Sequence, residues 1–144
     1  MPRRDTKLES EGAEFLVLGN LLLHGIPAYK TYTNMPGYDI VATWPNKNRS
    51  ARIQVKSRWA TSARAFFIKN FDTDFVVAAF LNRGTARAPE AVRDPDYFIL
   101  PVSIVKKYYR RQKLDKLVLS DVPHVDRYRN DWHQIKKFLN KRGR

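Results

Sequence analysis

The stretch FVVAAFL, Phe75–Leu81, constrains this chain more than any other. Side chains alternate between the two faces of a strand, so a run with no polar residue has no face to offer to water. Such a strand belongs inside a sheet, covered on both sides, and the rest of the chain must supply its neighbours and its cover. Thr6–His24 reads as a helix that stops at Gly25, a good residue for the left-handed turn after a helix. Strands are expected at Ala28–Thr33, Tyr38–Trp44, Ala51–Arg58, Ala65–Lys69 and Tyr97–Leu100, with turns at NMPG and PNKNRS. Asn82–Asp96, NRGTARAPEAVRDPD, is a loop long enough to be either mobile or functional. Pro101 opens a helix over Val102–Gln112, Leu117–Leu119 is a short strand, and Arg127–Leu139 is a terminal helix. Helix, then strands, then helices predicts one α/β domain over residues 1–144, a mixed central sheet flanked by helices.

Composition narrows the function. The chain has no cysteine, which excludes disulfides and thiolate zinc sites. His24, His124 and His133 have no metal-ligand spacing. The longest apolar run, Phe15–Leu23, is interrupted by Gly19 and Asn20 and is too short for a bilayer. The opening MPRRDTKLES has no apolar signal core, so a cytoplasmic protein with no membrane partner is expected. Lys and Arg number 27 against 14 Asp and Glu, a net charge of +13. Pro101–Arg144 alone holds 13 basic and 4 acidic residues. A basic excess clustered in this way is the footprint of a nucleic-acid binder; a solvated face kept for solubility is the alternative.

Polar residues inside the two strands of GYDIVATWPNKNRSARIQVKSRW carry the chemistry. A turn near Lys47 and Asn48 would set Asp39 opposite Lys56 and Val41 opposite Gln54. Asp39, Gln54 and Lys56 then cluster on one face, while Ile40, Ala42, Ile53 and Val55 face the core. In the first helix, a turn of 100° per residue puts Glu14 at the centre of a stripe made by Val17, Leu18, Leu21 and Leu22, with Glu11 on the same face. A carboxylate there needs a cation or a donor; a capping or salt-bridged glutamate is the structural alternative. Two carboxylates and an amide oxygen suit a hard cation, Mg²⁺ or Mn²⁺, and an adjacent lysine can hold a water or a phosphoryl oxygen.

These residues, in this order, resemble the PD-(D/E)XK nuclease superfamily, the restriction-endonuclease-like fold. The helix element is EGAEFLVLGNLLLHG, the strand aspartate lies in GYDIVA, and IQVKSR is the second half-motif. The chain is most similar to a small branch that includes intron-encoded homing endonucleases; DIVA and VKSR also resemble archaeal Holliday-junction resolvases. DFVVAAFLN, DYFILPVSIV and DRYRNDWHQI extend the resemblance over most of the chain. Two positions depart from the pattern. Tyr38 stands where proline is usual, and Gln54 replaces the usual acid, which removes a charge from the site. The resemblance implies a Mg²⁺-dependent endonuclease acting on DNA, with Glu14, Asp39, Gln54 and Lys56 catalytic. The metal ligands would be Glu14, Asp39, Gln54 and the backbone carbonyl of Val55. A catalytically silent DNA-binding domain of the same fold is one alternative, and a junction-resolving homodimer is another.

For DNA contact, VKKYYRRQK could lay Lys106, Lys107, Arg110 and Arg111 along a phosphate backbone while Tyr108 or Tyr109 packs inward. A plain amphipathic surface helix is the alternative. Arg58 follows the lysine strand directly and could reach DNA near the cut. Packing is expected of Trp59 and Trp132, and turn formation of Asp72 and Asp74.

Overall fold

The computed structural model describes residues 5–31, 37–44 and 48–141. Most of the NMPG turn, the end of the first predicted strand and the centre of the hairpin turn lie outside them. Helix α1, Thr6–Leu23, starts at Asp5, whose carboxylate accepts from the N–H groups of Lys7 at 2.9 Å and Leu8 at 3.3 Å. It ends as the sequence predicts. Gly25 has φ +76°, and Ile26 N–H reaches back to the Leu21 carbonyl at 2.9 Å while Gly25 N–H bonds Leu22.

Strands β1 (Ala28–Lys30), β2 (Ile40–Trp44), β3 (Arg49–Arg58), β5 (Phe75–Phe80) and β6 (Asp96–Pro101) form a five-stranded sheet in the order β1-β2-β3-β5-β6. Only β3 and β5 pair in parallel. β4 (Ala65–Phe67) and β7 (Lys116–Val118) make a separate two-stranded ribbon. The apolar β5 is buried at every position, as its composition requires. Phe75, Val77, Ala79 and Leu81 face α1 and α3 (His133–Asn140), where Ala13, Val17, Leu21, Ile135 and Leu139 cover them. Val76, Ala78 and Phe80 face the opposite way, under α2 (Val102–Tyr108) and the β4–β7 ribbon, through Val105, Phe66 and Leu117. Both sides of the sheet are therefore covered. No described helix is long and apolar enough to cross a membrane.

Three local expectations are corrected. The β2–β3 register pairs Ile40 with Ile53 and Val41 with Arg52, two residues from the predicted alignment. A shift of two leaves every side chain on its predicted face. The helix after Pro101 stops at Tyr108, not Gln112. Tyr109 is extended, and Arg110 exchanges both backbone hydrogen bonds with Lys116, so the chain leaves the helix to join β7. The terminal helix begins at His133, not Arg127. Arg129 bridges to Phe98, and Asn130 takes φ +54°, which a helix cannot accommodate. The Asn82–Asp96 loop is stitched down: Asn82 Nδ2 donates to Asp94 O at 2.9 Å and Asp96 Oδ2 at 3.1 Å. Trp132 is buried, as expected, and Trp59 packs at the margin of the core.

Candidate active site

The site forms where β2 and β3 part. Pairing ends at Ile40 and Ile53, although Asp39 N–H still donates to the Ile53 carbonyl at 2.8 Å. One step further, β2 offers no backbone acceptor, and the Asp39 side chain takes its place. Its Oδ2 accepts from Val55 N–H at 2.8 Å. The N–H and C=O of a strand residue point to the same edge, so the Val55 carbonyl is directed at the same gap. Asp39 lies just outside β2 and bonds both Ile53 and Val55, which places it beside the intervening Gln54 on β3. Lys56 follows two residues later on the same face.

Gln54 is only 8% exposed, and its Oε1 has no hydrogen-bond partner among the described residues. The other such atom is Arg49 Nε, whose guanidinium lies 5.0 Å above the Phe138 ring. Burial pushes the Asp39 carboxyl up from its ordinary range, and the Val55 N–H, Lys56 and Lys30 offset this only in part. Burial also pulls Lys56 down; Asp39 opposes that shift and Lys69 adds to it. The site therefore holds buried charges whose pairing does not offset their desolvation.

Glu14 reaches the site from α1, but not from the centre of the buried stripe. Ala13, Val17 and Leu21 are the buried positions, while Leu22 is exposed. Small residues let the helix approach the sheet, and Glu14 falls on the flank of the contact. Its carboxylate lies 3.4 Å from Lys30 Nζ, which also pairs with Glu11. Burial raises the Glu14 pKa; the nearby Asp39 carboxylate adds to this, and Lys30 opposes it. Burial disfavours the charge on Lys30, but Glu11 and Glu14 outweigh that and hold its pKa above the usual lysine range. The structural alternative for Glu14 is thus partly realised: it is ion-paired, yet it remains electrostatically coupled to Asp39.

Asp39 is the common partner: it is coupled to Glu14 and to Lys56 and accepts from the Val55 N–H, while Gln54 stands between Ile53 and Val55 on β3. Glu14, Asp39, Gln54 Oε1 and the Val55 carbonyl are the oxygen donors that could hold a divalent cation. Among the described residues, no three His, Asp or Glu side chains gather into a metal-holding group. The residue missed by sequence reasoning is Lys30. Its signal, a lysine at the end of a short strand after Tyr29, becomes meaningful only when α1 docks against β1.

The residues predicted to touch DNA are less unified. Arg58 is half-buried and donates from Nη1 to the Ala65 carbonyl at 2.7 Å. Lys106 and Lys107 are exposed in the last turn of α2, which packs on β5 and β6. Arg110 is held by Asp121 at 2.6 and 2.9 Å, and Arg111 lies over Tyr109. Tyr108 and Tyr109 both pack inward.

In structure, the chain is similar to the bacterial homing endonuclease I-Ssp6803I, with a TM-score of 0.64 and 22% identity over 94% of both chains. The fold is restriction-endonuclease-like. The Holliday junction resolvase Hjc of Archaeoglobus fulgidus is also similar, with a TM-score of 0.49 and 19% identity over 80% of this chain and 88% of that one. No family model matches the sequence, and neither does any curated protein.

Proposed function

We propose that the protein is a metal-dependent endonuclease that hydrolyses DNA phosphodiester bonds. The observation that carries this reading is the buried, unpartnered Oε1 of Gln54 beside Asp39. A buried amide oxygen left unbonded costs about 1–3 kcal/mol unless something satisfies it. Asp39 and Glu14, whose pKa values are raised and which are coupled to each other, and the Val55 carbonyl are the further hard oxygen donors of the kind that Mg²⁺ or Mn²⁺ prefers. The likeness in fold to a homing endonuclease and the net charge of +13 support the same reading.

The bound cation would supply Lewis-acid polarisation of the phosphoryl group and a lowered pKa for a coordinated water. The chain's own part is positional and electrostatic. Asp39 is fixed by the Val55 N–H, and Glu14 is fixed by Lys30. Lys56 is half-buried on rigid β3, so its ammonium can hold the attacking water or a non-bridging phosphate oxygen in a setting poorer in water than the surface. Its lowered pKa also makes proton transfer at Nζ easier than for an exposed lysine.

The test is cleavage of plasmid, junction and single-stranded DNA with Mg²⁺ or Mn²⁺, using the wild type, Asp39→Ala and Lys56→Ala. Cleavage by the wild type, lost in both variants with DNA affinity retained, is the expected result. DNA binding without cleavage of any substrate by the wild type would establish the silent binding domain instead.

A further inference from the structure

Beyond the catalytic group lies a small cavity that its residues do not explain. It has a volume of about 260 Å³ and is lined by Lys56, Phe67, Ile68, Lys69, Leu114 and Asp115. Its walls are held by the β4–β7 ribbon. Phe67 pairs with Lys116, and the extended path continues one residue further, where Ile68 N–H donates to the Asp115 carbonyl at 3.0 Å. Alternation turns Phe66 and Ile68 into the core and Phe67 and Lys69 outward. Phe67 is 56% exposed. Opposite it stands Leu114, 63% exposed at the tip of a turn that Asp115 closes by accepting the Gln112 N–H at 3.1 Å.

Two exposed apolar side chains on one ribbon therefore flank two lysines. Lys56 and Lys69 line the same cavity. Asp115 is the carboxylate in the lining, and one of its oxygens is already engaged by the turn. A site with two ammonium groups on its rim and an aromatic ring beside them suits a ligand with an anion at one end and a flat apolar face at the other. A nucleotide has that form, and the cavity has room for one base rather than a length of strand. A base inside a duplex has both π-faces covered by its neighbours, so only an unpaired or extruded base can lie on Phe67.

We propose that this cavity receives a single unpaired nucleotide next to the scissile phosphate, its base stacked on Phe67 and its phosphate held by Lys69. The proposal deepens the endonuclease reading, on which it rests for the placement of Lys56 at the scissile phosphate. It defines the substrate as DNA with a bulged, mismatched or flapped nucleotide at the cut rather than uniform duplex.

The test compares the wild-type full-length chain with Phe67→Ala, Phe67→Tyr and Lys69→Gln. The probes are a DNA duplex with one bulged 2-aminopurine and the same duplex fully paired, both in chelator. Stacking on the wild type should quench the bulged base. Phe67→Ala should abolish the quench and weaken binding of the bulged duplex about tenfold, while Phe67→Tyr restores both. Affinity for the paired duplex should stay within about twofold in either Phe67 variant. Lys69→Gln should weaken bulge binding and flatten its salt dependence by about one unit of slope. An unchanged quench and affinity in Phe67→Ala would overturn the proposal, whatever the cleavage assay shows. A Phe67-dependent quench in a protein that cuts no DNA would keep the nucleotide site and remove the endonuclease reading.

Discussion

Arg52 and Gln54 stand two residues apart on β3 and share one face of the sheet, yet their surroundings differ in kind. Around Arg52 the charges are paired. Asp74 Oδ2 accepts from its backbone N–H at 2.8 Å and its Nε at 3.4 Å, Asp72 accepts from Nη1 at 2.6 Å, and Thr73 Oγ1 donates to its carbonyl at 2.8 Å. Hydrogen bonding to Asp74 raises the Arg52 pKa further, so the cluster favours its own charges. Around Gln54 the pattern reverses. Asp39 and Glu14 are pushed toward neutrality, Lys56 is pulled the same way, and an amide oxygen has no partner. The first cluster is complete in the folded chain and fastens β3 to the start of β5. The second leaves an amide oxygen without a partner among the described residues, which the proposed cation would complete. Buried polarity alone therefore does not mark a candidate site; an unsatisfied polar atom beside titratable groups pushed toward neutrality is the stronger sign.

The comparison breaks most sharply on activity. Asp39→Asn should lower metal-dependent cleavage by about a hundred- to a thousandfold, the scale of losing one electrostatic contact to the transition state. Asp74→Asn should leave the rate within about threefold. Equal losses in the two variants, in a plasmid-nicking assay at saturating Mg²⁺, would erase the distinction.

Stability should reverse the ranking. Asp74→Ala removes charge-assisted bonds to Arg52 and is expected to cost about 2–3 kcal/mol in urea unfolding. Asp39→Asn keeps an oxygen to accept the Val55 N–H and removes a buried charge, so it should be neutral or stabilising without metal.

A sharper comparison comes from Gln54→Glu. Adding a charge to the oxygen set should tighten Mn²⁺ binding about tenfold or more by calorimetry, since opposite charges attract strongly at short range even at intermediate dielectric. Unchanged affinity would remove residue 54 from the ligand set and leave its orphan oxygen without a role.

The smallest effect concerns pH and the flank of α1. Asp39 and Glu14 have folded pKa values above their ordinary 3.8 and 4.5. As pH rises from about 4, the unfolded chain releases these protons before the folded chain does, so stability falls until the folded pKa values are passed. Melts in chelator should show this loss in the wild type and less of it in Asp39→Asn and Glu14→Gln. Glu14→Gln should gain about 1 kcal/mol at neutral pH. A loss instead would make the ion pair with Lys30 its whole purpose.

The site was legible in part because its strangeness is chemical. Asp39, Gln54 and Lys56 contradict the apolar habit of their segments, and alternation puts Gln54 and Lys56 on one face whatever the even-numbered register shift. The register itself was not legible, because a shift of two residues leaves the hydrophobic pattern unchanged. Glu14 was found, but its placement was misjudged. Counting leucines around a helix does not reveal that Ala13 and Val17, being small, are what the sheet accepts. The basic segment after Pro101 shows the same limit. Its composition suits a helix throughout, yet pairing of Arg110 with Lys116 ends the helix at Tyr108 and commits Arg110 to Asp121.

By itself, the sequence determined a sheet covered on both faces, through the unbroken apolar run of β5, and a helix that stops at Gly25. It also determined that one amide and one lysine, Gln54 and Lys56, would share a sheet face, because strand alternation is a local property of the backbone. Tertiary structure decided the rest. Lys30 came to hold Glu14, Phe67 and Leu114 came to flank Lys69, and Gln54 was left with a buried, unsatisfied oxygen. These juxtapositions join residues far apart in the chain, and desolvation, which shifts the pKa values of Asp39 and Lys56, exists only once the layers close around them.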